Sequence, residues 1–361
     1  MAAPTREPAG PASQQSEPTT YERWVAAQGI PIARGFHIED LNTLPLAPWE
    51  MKGVPGSFVH LEGNAEAHTD GHVLEIPPRG RVTPQKHLYE ELVYVLSGRG
   101  TTSVWYDGEP RQTFEWQRGS LFTLPINAWH QHFNLSGEEP ARYYAVTNAP
   151  LIMDLFHNLD FVFQDSFRFT DRFDGSDGSF NGQGEFVALR TWETNFVADV
   201  GAFELQAQPR RGGGRNIHFE LGHASMMAHT SEFPVGTYKK AHRHGPGANV
   251  VIVSGEGYSL YWRDGEPRQR LNWGPGAVFV PPNMVWHQHF NTGSQPARYL
   301  ALRWNSRRYR LLNVAEGQDE DVRQGGNQIE YEDEDPAILE LFREECAKHG
   351  VTPDMDRLFQ R

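Results

Sequence analysis

Apolar and polar residues alternate in short runs along most of the chain, and turn residues separate these runs. Such alternation gives a β-strand one apolar face, and Asp-Gly pairs between the runs are typical of hairpin turns. In the first half of the chain the pattern predicts strands at residues 73–76, 91–96, 101–106, 113–116, 121–124, 130–134 and 143–146. The 35 Gly and 25 Pro residues suit many turns, so the chain is predicted to be all-β.

One six-residue string occurs twice. Residues 129–134 and 286–291 both spell WHQHFN, 157 positions apart. At the same spacing, the Asp-Gly-Glu-Pro-Arg sequence of residues 107–111 returns at 264–268. This identity indicates an internal duplication, with a unit that runs over about residues 72–146 and again over 229–302. A unit of roughly 75 residues is longer than a solenoid repeat, so it predicts two small domain cores.

Helix signals are confined to the two ends of the chain. Thr20 is a candidate N-cap and Gly29 a stop for a helix over 20–28, and a second helix is predicted over 336–348. Many Phe and Asp residues lie between the repeats, so we expect a packed arm there. The predicted organisation is a disordered tail (1–19), an N-terminal domain (20–150), a Phe-rich linker (151–190), a C-terminal domain (191–313) and an acidic, partly helical tail (314–361).

The composition narrows the choice of partners. The net charge of -13 argues against nucleic acid and anionic membranes, because both attract a basic surface. No apolar run reaches transmembrane length, and the N-terminus has no apolar core of a signal peptide. A single cysteine, Cys346, excludes an internal disulfide and fits a reducing compartment. We therefore expect a cytoplasmic protein with a small-molecule substrate.

Three histidines of the second unit have the spacing of metal ligands. His242 and His244 are two positions apart, so a strand would point both to one face. His287 lies 43 residues further on, and we expect it on a neighbouring strand. Three neutral imidazoles that converge in a small barrel suit Fe(II), Ni, Cu or Zn, with positions left for water or substrate.

The spacing of the motifs resembles the cupin superfamily. Residues 236–255 resemble its first motif, with Gly236, the two histidines and Gly255; Gly276, Pro282, His287 and Asn291 resemble its second. The first unit repeats the frame with Gln85, His87, Glu91 and Gly98, then Gly119, Pro125, His130 and Asn134. The resemblance implies a bicupin, that is, two double-stranded β-helix (jelly-roll) barrels in one chain, with short helices at the N- and C-termini.

The resemblance also implies the ligand sets. Cupins often supply three His and one Glu, but the second unit has Ala248 in the place of the Glu, so its set is His242, His244 and His287. This resembles the three-His gentisate-type dioxygenases. In the first unit Gln85 replaces the first His, which leaves His87, Glu91 and His130 with Gln85 as a weak fourth ligand.

Both units depart from the second motif at a turn. Asn127 and Met284 stand where the family has Gly. Asn tolerates a left-handed turn, whereas Met suggests a changed turn type in the second unit.

Four further repeated residues are open to two interpretations. His132 and His289 lie two positions past a ligand histidine and so share its face; each is either an acid/base or substrate-orienting group, or a hydrogen-bonded barrel histidine. Arg142 and Arg298 either pair with a substrate carboxylate or form ion pairs on the surface.

These residues and the resemblance together favour an Fe(II)-dependent dioxygenase acting on a small anionic substrate such as a hydroxylated aromatic acid. Mn, Ni and Zn are the alternative metals. One alternative function is a non-oxidative decarboxylase or isomerase that uses Mn or Zn, which Glu91 of the first unit supports. The other is a bicupin that binds a ligand without catalysis. A homo-oligomer is expected in each case, with the Phe-rich stretch as a candidate contact.

Overall fold

The computed structural model describes residues 17–176, 178–208, 212–304, 306–311 and 320–356. Most of the expected N-terminal tail (1–16), the expected end of the second domain at 313, and parts of the expected acidic tail (314–319 and 357–361) lie outside the described residues. None of the described helices combines the length and apolar character that a membrane crossing requires.

The first half of the chain forms two facing β-sheets. Its strands are β1 (Ile32–Gly35), β2 (His37–Ile38), β3 (Ala47–Trp49), β4 (Val54–Leu61), β5 (Asp70–Ile76), β6 (Glu91–Ser97), β7 (Arg99–Trp105), β8 (Gln112–Gln117), β9 (Leu121–Leu124), β10 (Trp129–Asn134) and β11 (Ala141–Thr147). The large sheet has the order β1-β4-β5-β11-β6-β9, with β3 on β4, and the small sheet has the order β10-β7-β8. All seven strands predicted from the alternation in this half are present.

The second half repeats this arrangement. Its strands are β12 (Glu185–Ala188), β13 (Thr191–Thr194), β14 (Phe196–Val197), β15 (Gln206–Gln208), β16 (Gly214–Leu221), β17 (Met226–Phe233), β18 (Asn249–Ser254), β19 (Gly257–Trp262), β20 (Gln269–Trp273), β21 (Val278–Phe279), β22 (Trp286–Asn291) and β23 (Ala297–Trp304). The large sheet runs β12-β13-β16-β17-β23-β18-β21, with β15 on β16, and the small sheet runs β20-β19-β22. The predicted all-β fold with two jelly-roll barrels is confirmed.

The two barrels exchange one short strand each. β2 leaves the first half and pairs with β21 of the second barrel, and β14 returns to pair with β9 of the first. The repeated arginines hold the backbone that follows each exchanged strand: Arg142 donates to the carbonyls of Leu41 and Asn42, and Arg298 donates to those of Val200 and Gly201.

The same arginines form ion pairs. Arg142 Nη2 lies 2.7 Å from Glu75, and Arg298 Nη2 lies 2.8 Å from Glu232. These two arginines therefore link the exchanged segments to the large sheets, which agrees with the ion-pair interpretation. Their charge is paired with Glu75 and Glu232 and not with a substrate.

A buried carboxylate joins the two barrels. Glu90 accepts hydrogen bonds from the backbone N–H groups of Ser225 and Met226, from the Ser225 hydroxyl, and from Arg172. Its residue is 5 % exposed. The side-chain amides of Asn64 and Asn249 also hydrogen-bond to each other at 3.0 Å in both directions across the interface. The relative position of the barrels is thus fixed by buried polar contacts as well as by a shared apolar core.

Among the described residues, four α-helices accompany the barrels: α1 (Thr20–Ala27), α2 (Ala149–Phe156), α3 (Leu159–Gln164) and α4 (Pro336–Lys348). The N-cap of α1 is Thr19 rather than Thr20, because Thr19 and Glu22 satisfy each other's backbone N–H groups in a capping box. α4 has the predicted bounds, and its Ile338 and Phe342 pack on the small sheet of the second barrel.

The Phe-rich linker is partly packed and partly exposed. Val162, Phe173 and Phe180 are buried against the first barrel. Other apolar side chains of this stretch face solvent: Leu155, Phe156, Phe161 and Phe167. The expected packed arm is therefore present only in part.

The turn before each WHQHFN strand is the same in both repeats. Asn127 has φ +57° and Met284 has φ +54°, so both occupy the left-handed region. The expectation of a changed turn type at Met284 is wrong. The backbone N–H of Met284 donates to the carbonyl of His244, and this bond holds the Met in a conformation that its side chain disfavours.

Candidate metal centres

The three histidines of the second repeat lie together at one end of the barrel. His287 is on β22, as expected, but His242 lies in a segment with only isolated bridges, one of them to His287, and not on a regular strand. The candidate ligand atoms of His242, His244 and His287 all lie within 4.8 Å of one another. The ring of His287 is 4.3 Å from that of His242 and 4.7 Å from that of His244, so His287 is the centre of the group.

Backbone carbonyls orient these rings. The Nδ1 atoms of His242, His244 and His287 lie 3.0, 2.8 and 3.0 Å from the carbonyls of Lys240, Gly245 and Val285. A carbonyl only accepts, so each Nδ1 carries the proton and each Nε2 keeps its lone pair. Histidine ligands of metals are held in this way by the groups behind them, so the donor set fits a divalent metal.

The first repeat places His87, Glu91 and His130 in a similar cluster, with ligand atoms within 4.8 Å of one another. Glu91 begins β6 and His130 lies on β10. The Nδ1 atoms of both histidines again face backbone carbonyls, those of Tyr89 and Ala128. His87 Nε2, His130 Nε2 and Glu91 Oε2 are buried without a hydrogen-bond partner, as expected of atoms that await a cation.

A buried lysine engages the expected fourth ligand of this cluster. Lys52, which is 1 % exposed, donates from Nζ to Gln85 Oε1 at 2.6 Å. That oxygen is the atom with which Gln85 would bind a metal, so Lys52 competes with a metal for it. Burial lowers the pKa of Lys52, while Glu91 acts to raise it. Lys52 precedes the duplicated unit and belongs to no motif, so no pattern in the sequence points to it.

Glu91 is charged in spite of its burial. Burial alone would raise its pKa, but His87, whose Nε2 lies 3.2 Å from Oε2, and the charge of Lys52 hold the pKa well below its usual range. His72 Nε2 lies 3.6 Å from Glu91 Oε1. Burial lowers the pKa of His72 to about 3, so this ring is neutral.

A cavity of about 220 Å³ opens onto the three histidines of the second barrel. Within the part of the chain that the structure describes, its lining also includes four basic residues and no acidic one: Arg190, Lys239, Arg303 and Arg307. Lys239 is buried, and its Nζ lies 3.0 Å from the Tyr299 hydroxyl. A small cavity with this charge favours a small anion.

The second histidine of each WHQHFN strand is buried next to the cluster. His289 Nδ1 lies 2.7 Å from Ser259 Oγ, and that hydroxyl accepts from Trp273 Nε1. His132, Thr102 and Trp116 repeat the arrangement, also at 2.7 Å. Because the indole N–H only donates, the arrangement favours the hydroxyl as donor to Nδ1 and places the histidine proton on Nε2. These rings therefore have the opposite tautomer to the cluster histidines.

His132 makes the stability of the metal-free protein depend on pH. Burial lowers its pKa to about 4 from 6.5, so the unfolded chain takes up a proton at a higher pH than the folded one. Stability is fully present above pH 6.5 and falls as the pH drops towards 4, by about 3 kcal/mol from this group. Urea unfolding between pH 7 and 4 measures the loss. His132→Asn, which cannot titrate, should show a smaller loss, and an equal one would contradict the assignment.

Comparison with known proteins identifies the family. The model of the cupin domain matches residues 72–147 and 229–303, which are the two halves of the duplication. The chain is therefore a bicupin of the cupin superfamily. No significant match is found among curated proteins.

The solved structures that resemble the chain include oxalate decarboxylase from Bacillus subtilis. A tryptophan-to-tyrosine variant of that enzyme is 14% identical, with a TM-score of 0.50 over 75% of this chain and 77% of that one. An arginine-to-alanine variant is 13% identical, with a TM-score of 0.50 over 78% of each chain. A third, from a study of the Mn(II) centres of the same enzyme, is 12% identical with the same TM-score and coverage. At this identity the likeness shows the fold.

Proposed function

We propose that this bicupin is a metal-dependent enzyme whose second barrel carries out a non-oxidative reaction, a decarboxylation or isomerisation, on a small carboxylate. One observation carries the proposal: three histidine Nε2 atoms converge in a cavity of about 220 Å³, and apart from histidines every charged side chain that lines it among the described residues is basic. Mn and Zn are the proposed metals. The structural relatives are decarboxylases, and one was studied for its Mn(II) centres, so they support this reaction and give no support to Fe(II).

A bound metal would act as a Lewis acid that polarises a carboxylate or carbonyl oxygen of the substrate. The chain's own residues do the rest. Arg190, Arg303 and Arg307 attract the anion, and Lys239 adds a buried positive charge. The small cavity leaves room for little water around a bound substrate, which strengthens these charge interactions.

His289 is the proposed proton donor. Loss of CO2 leaves the electron pair of the broken C–C bond on the remaining carbon, which must take up one proton. His289 lines the cavity, and its favoured tautomer carries the proton on Nε2. After donation, solvent returns a proton to the ring, so the cycle is redox-neutral. In the first barrel His132 has the same surroundings, and we propose a structural role for it there.

The first barrel is proposed as a second metal site with His87, Glu91 and His130 as ligands. Glu91 supplies a negative charge to this site, whereas the candidate ligands of the second site are histidines. Because Lys52 already holds Gln85, we propose that Gln85 supports the site without binding the metal.

A dioxygenase remains the second candidate, for one specific reason. The second barrel has Ala248 where related sites have a carboxylate, so a bound metal keeps its full +2 charge for a chelating anion. Three-His sites with open positions suit O2 chemistry as well as Lewis-acid chemistry. This candidate requires Fe(II) and consumption of O2.

The test is metal analysis followed by gas measurements. Protein purified without added metal, and protein reconstituted with Mn, Zn or Fe(II), is assayed with small dicarboxylates and hydroxylated aromatic acids. We expect CO2 release, or isomerisation, that continues under argon with Mn or Zn. Uptake of one O2 per substrate with Fe(II) would establish the dioxygenase instead. Failure to bind any metal would reject both and leave a ligand-binding protein.

Assembly into a homo-oligomer is also proposed. Leu155, Phe156, Phe161 and Phe167 expose apolar surface on one stretch of the chain, between 40 and 62 % for each side chain. Adjacent exposed apolar side chains are typical of protein contacts.

A further inference from the structure

A second cavity, of about 320 Å³, lies on the second barrel between the edge strand β20 and the exchanged strand β2. It shares no lining residue with the histidine cavity. Leu271 and Phe279 line it, and Phe36 stands beside them with 55 % of its surface exposed. Gln269 and Glu266 add polar groups. We call this cavity the β20 groove.

The first barrel fills the same place with its own chain. Residues 168–176 and 178–180 of the linker lie there, with Phe180 stacked on Phe114 at 4.3 Å and Phe173 against Tyr106 at 5.8 Å. Gln112 donates to the Gly175 carbonyl at 2.8 Å, Arg168 pairs with Glu109, Arg172 pairs with Glu90, and Asn195 donates to the Ser179 carbonyl. The groove of the first barrel thus holds a peptide segment that contains turns at both ends.

Because of the duplication, the residues that contact the linker in the first barrel have counterparts in the β20 groove. Glu266, Gln269, Leu271 and Phe279 follow Glu109, Gln112, Phe114 and Phe122 by 157 residues, and all four line the open groove. The carboxylate and the amide are unchanged, and the two apolar positions stay apolar. The polar contacts and the apolar floor are therefore present in the second barrel, whereas Tyr106, which contacts Phe173, is replaced by Arg263.

Among the described residues, no segment before β2 corresponds to this one. Residues 1–20 contain no aromatic residue, and Tyr21 is buried in the first barrel, where it donates to Asp70. None of the described residues fills the groove. An apolar groove with an exposed phenyl ring beside it is typical of a binding surface.

We propose that the β20 groove binds a peptide segment of a partner protein. The segment carries a basic side chain for Glu266 and, further along, an aromatic side chain for the apolar floor formed by Leu271 and Phe279. Gln269 takes one backbone carbonyl, as Gln112 does in the first barrel. Recognition of this type combines one main-chain contact with side-chain pockets.

The probe is a synthetic peptide of residues 167–181, titrated into the full-length protein by calorimetry and by tryptophan fluorescence, since Trp262 lines the groove. We expect saturable binding of one peptide per chain with a Kd below about 1 mM. A peptide with Ala at both Phe173 and Phe180 should bind at least tenfold more weakly.

Variants of the groove test the location. Phe36→Ser combined with Gln269→Ala should weaken binding at least tenfold, while Phe186→Ser, which alters an equally exposed ring elsewhere (52 %), should leave it unchanged. Glu266→Arg should weaken binding, and a peptide with Arg168→Glu should restore it. Absence of saturable binding, or binding that the groove variants do not weaken, would overturn the proposal. So would a loss of self-association in Phe36→Ser, which would make a second copy of the chain the occupant.

Discussion

Replacement of His287 with Ala is expected to remove the metal of the second barrel and to reduce turnover by more than 100-fold. Loss of a group that merely orients a ligand costs about 10–100-fold in metal affinity or activity, and loss of a ligand should cost more. His287 is the choice because its ring is the nearest neighbour of both other histidines. Elemental analysis and the decarboxylation assay measure the two losses on the same sample.

The duplication provides the matched control. His130 occupies the same position in the same WHQHFN string of the first barrel. His130→Ala should remove only the metal of the first site and leave most of the activity in place. Activity lost in His130→Ala but retained in His287→Ala would move the reaction to the first barrel. The unfolding midpoints of both variants show whether either change acts through the fold.

Replacement of Glu90 with Ala should destabilise the protein by about 3–5 kcal/mol, the cost of removing one partner from a buried charged network. The carboxylate is the acceptor for two backbone N–H groups, one hydroxyl and Arg172. Without it, these donors stay buried with no acceptor at the junction of the barrels. Urea denaturation of wild type and variant measures the change in the free energy of unfolding.

The neighbouring residue serves as control for this prediction. Glu90 and Glu91 are adjacent, yet Glu90 faces the other barrel while Glu91 faces its own metal cluster. Glu91→Gln should therefore weaken metal binding in the first barrel and leave the contact between the barrels intact. If Glu90→Ala unfolds at the same urea concentration as wild type, the buried network contributes little to stability.

The two barrels have diverged inside a shared frame. The first keeps a carboxylate among its candidate ligands and contains the ammonium of Lys52, whereas the second has three candidate histidine ligands and an open cavity with basic walls. The outer groove differs too, because the linker fills it in the first barrel only. The open sites for small molecules and for peptides that we propose thus both lie on the second barrel.

Much of this was determined by local sequence. Alternation with period two predicted the strands of the first unit, because a sheet with one buried face requires it. The exact repeat identified the duplication, and its spacing indicated which histidines belong together. The turn at Met284 does not follow from local sequence. The backbone N–H of Met284 donates to the His244 carbonyl, and this bond stabilises a left-handed conformation that the Met side chain disfavours.

The tertiary structure decided the features that depend on residues far apart in the chain. β2 and β14 are two-residue strands, too short to show a pattern, and their partners lie in the opposite repeat. Lys52 reaches Gln85 only through the packing of the first barrel, and the basic residues of the cavity come from separate strands and loops. Alternation along a strand determines the face of the sheet to which a side chain points. Which distant residues meet on that face is determined by how the sheets close into barrels and exchange strands.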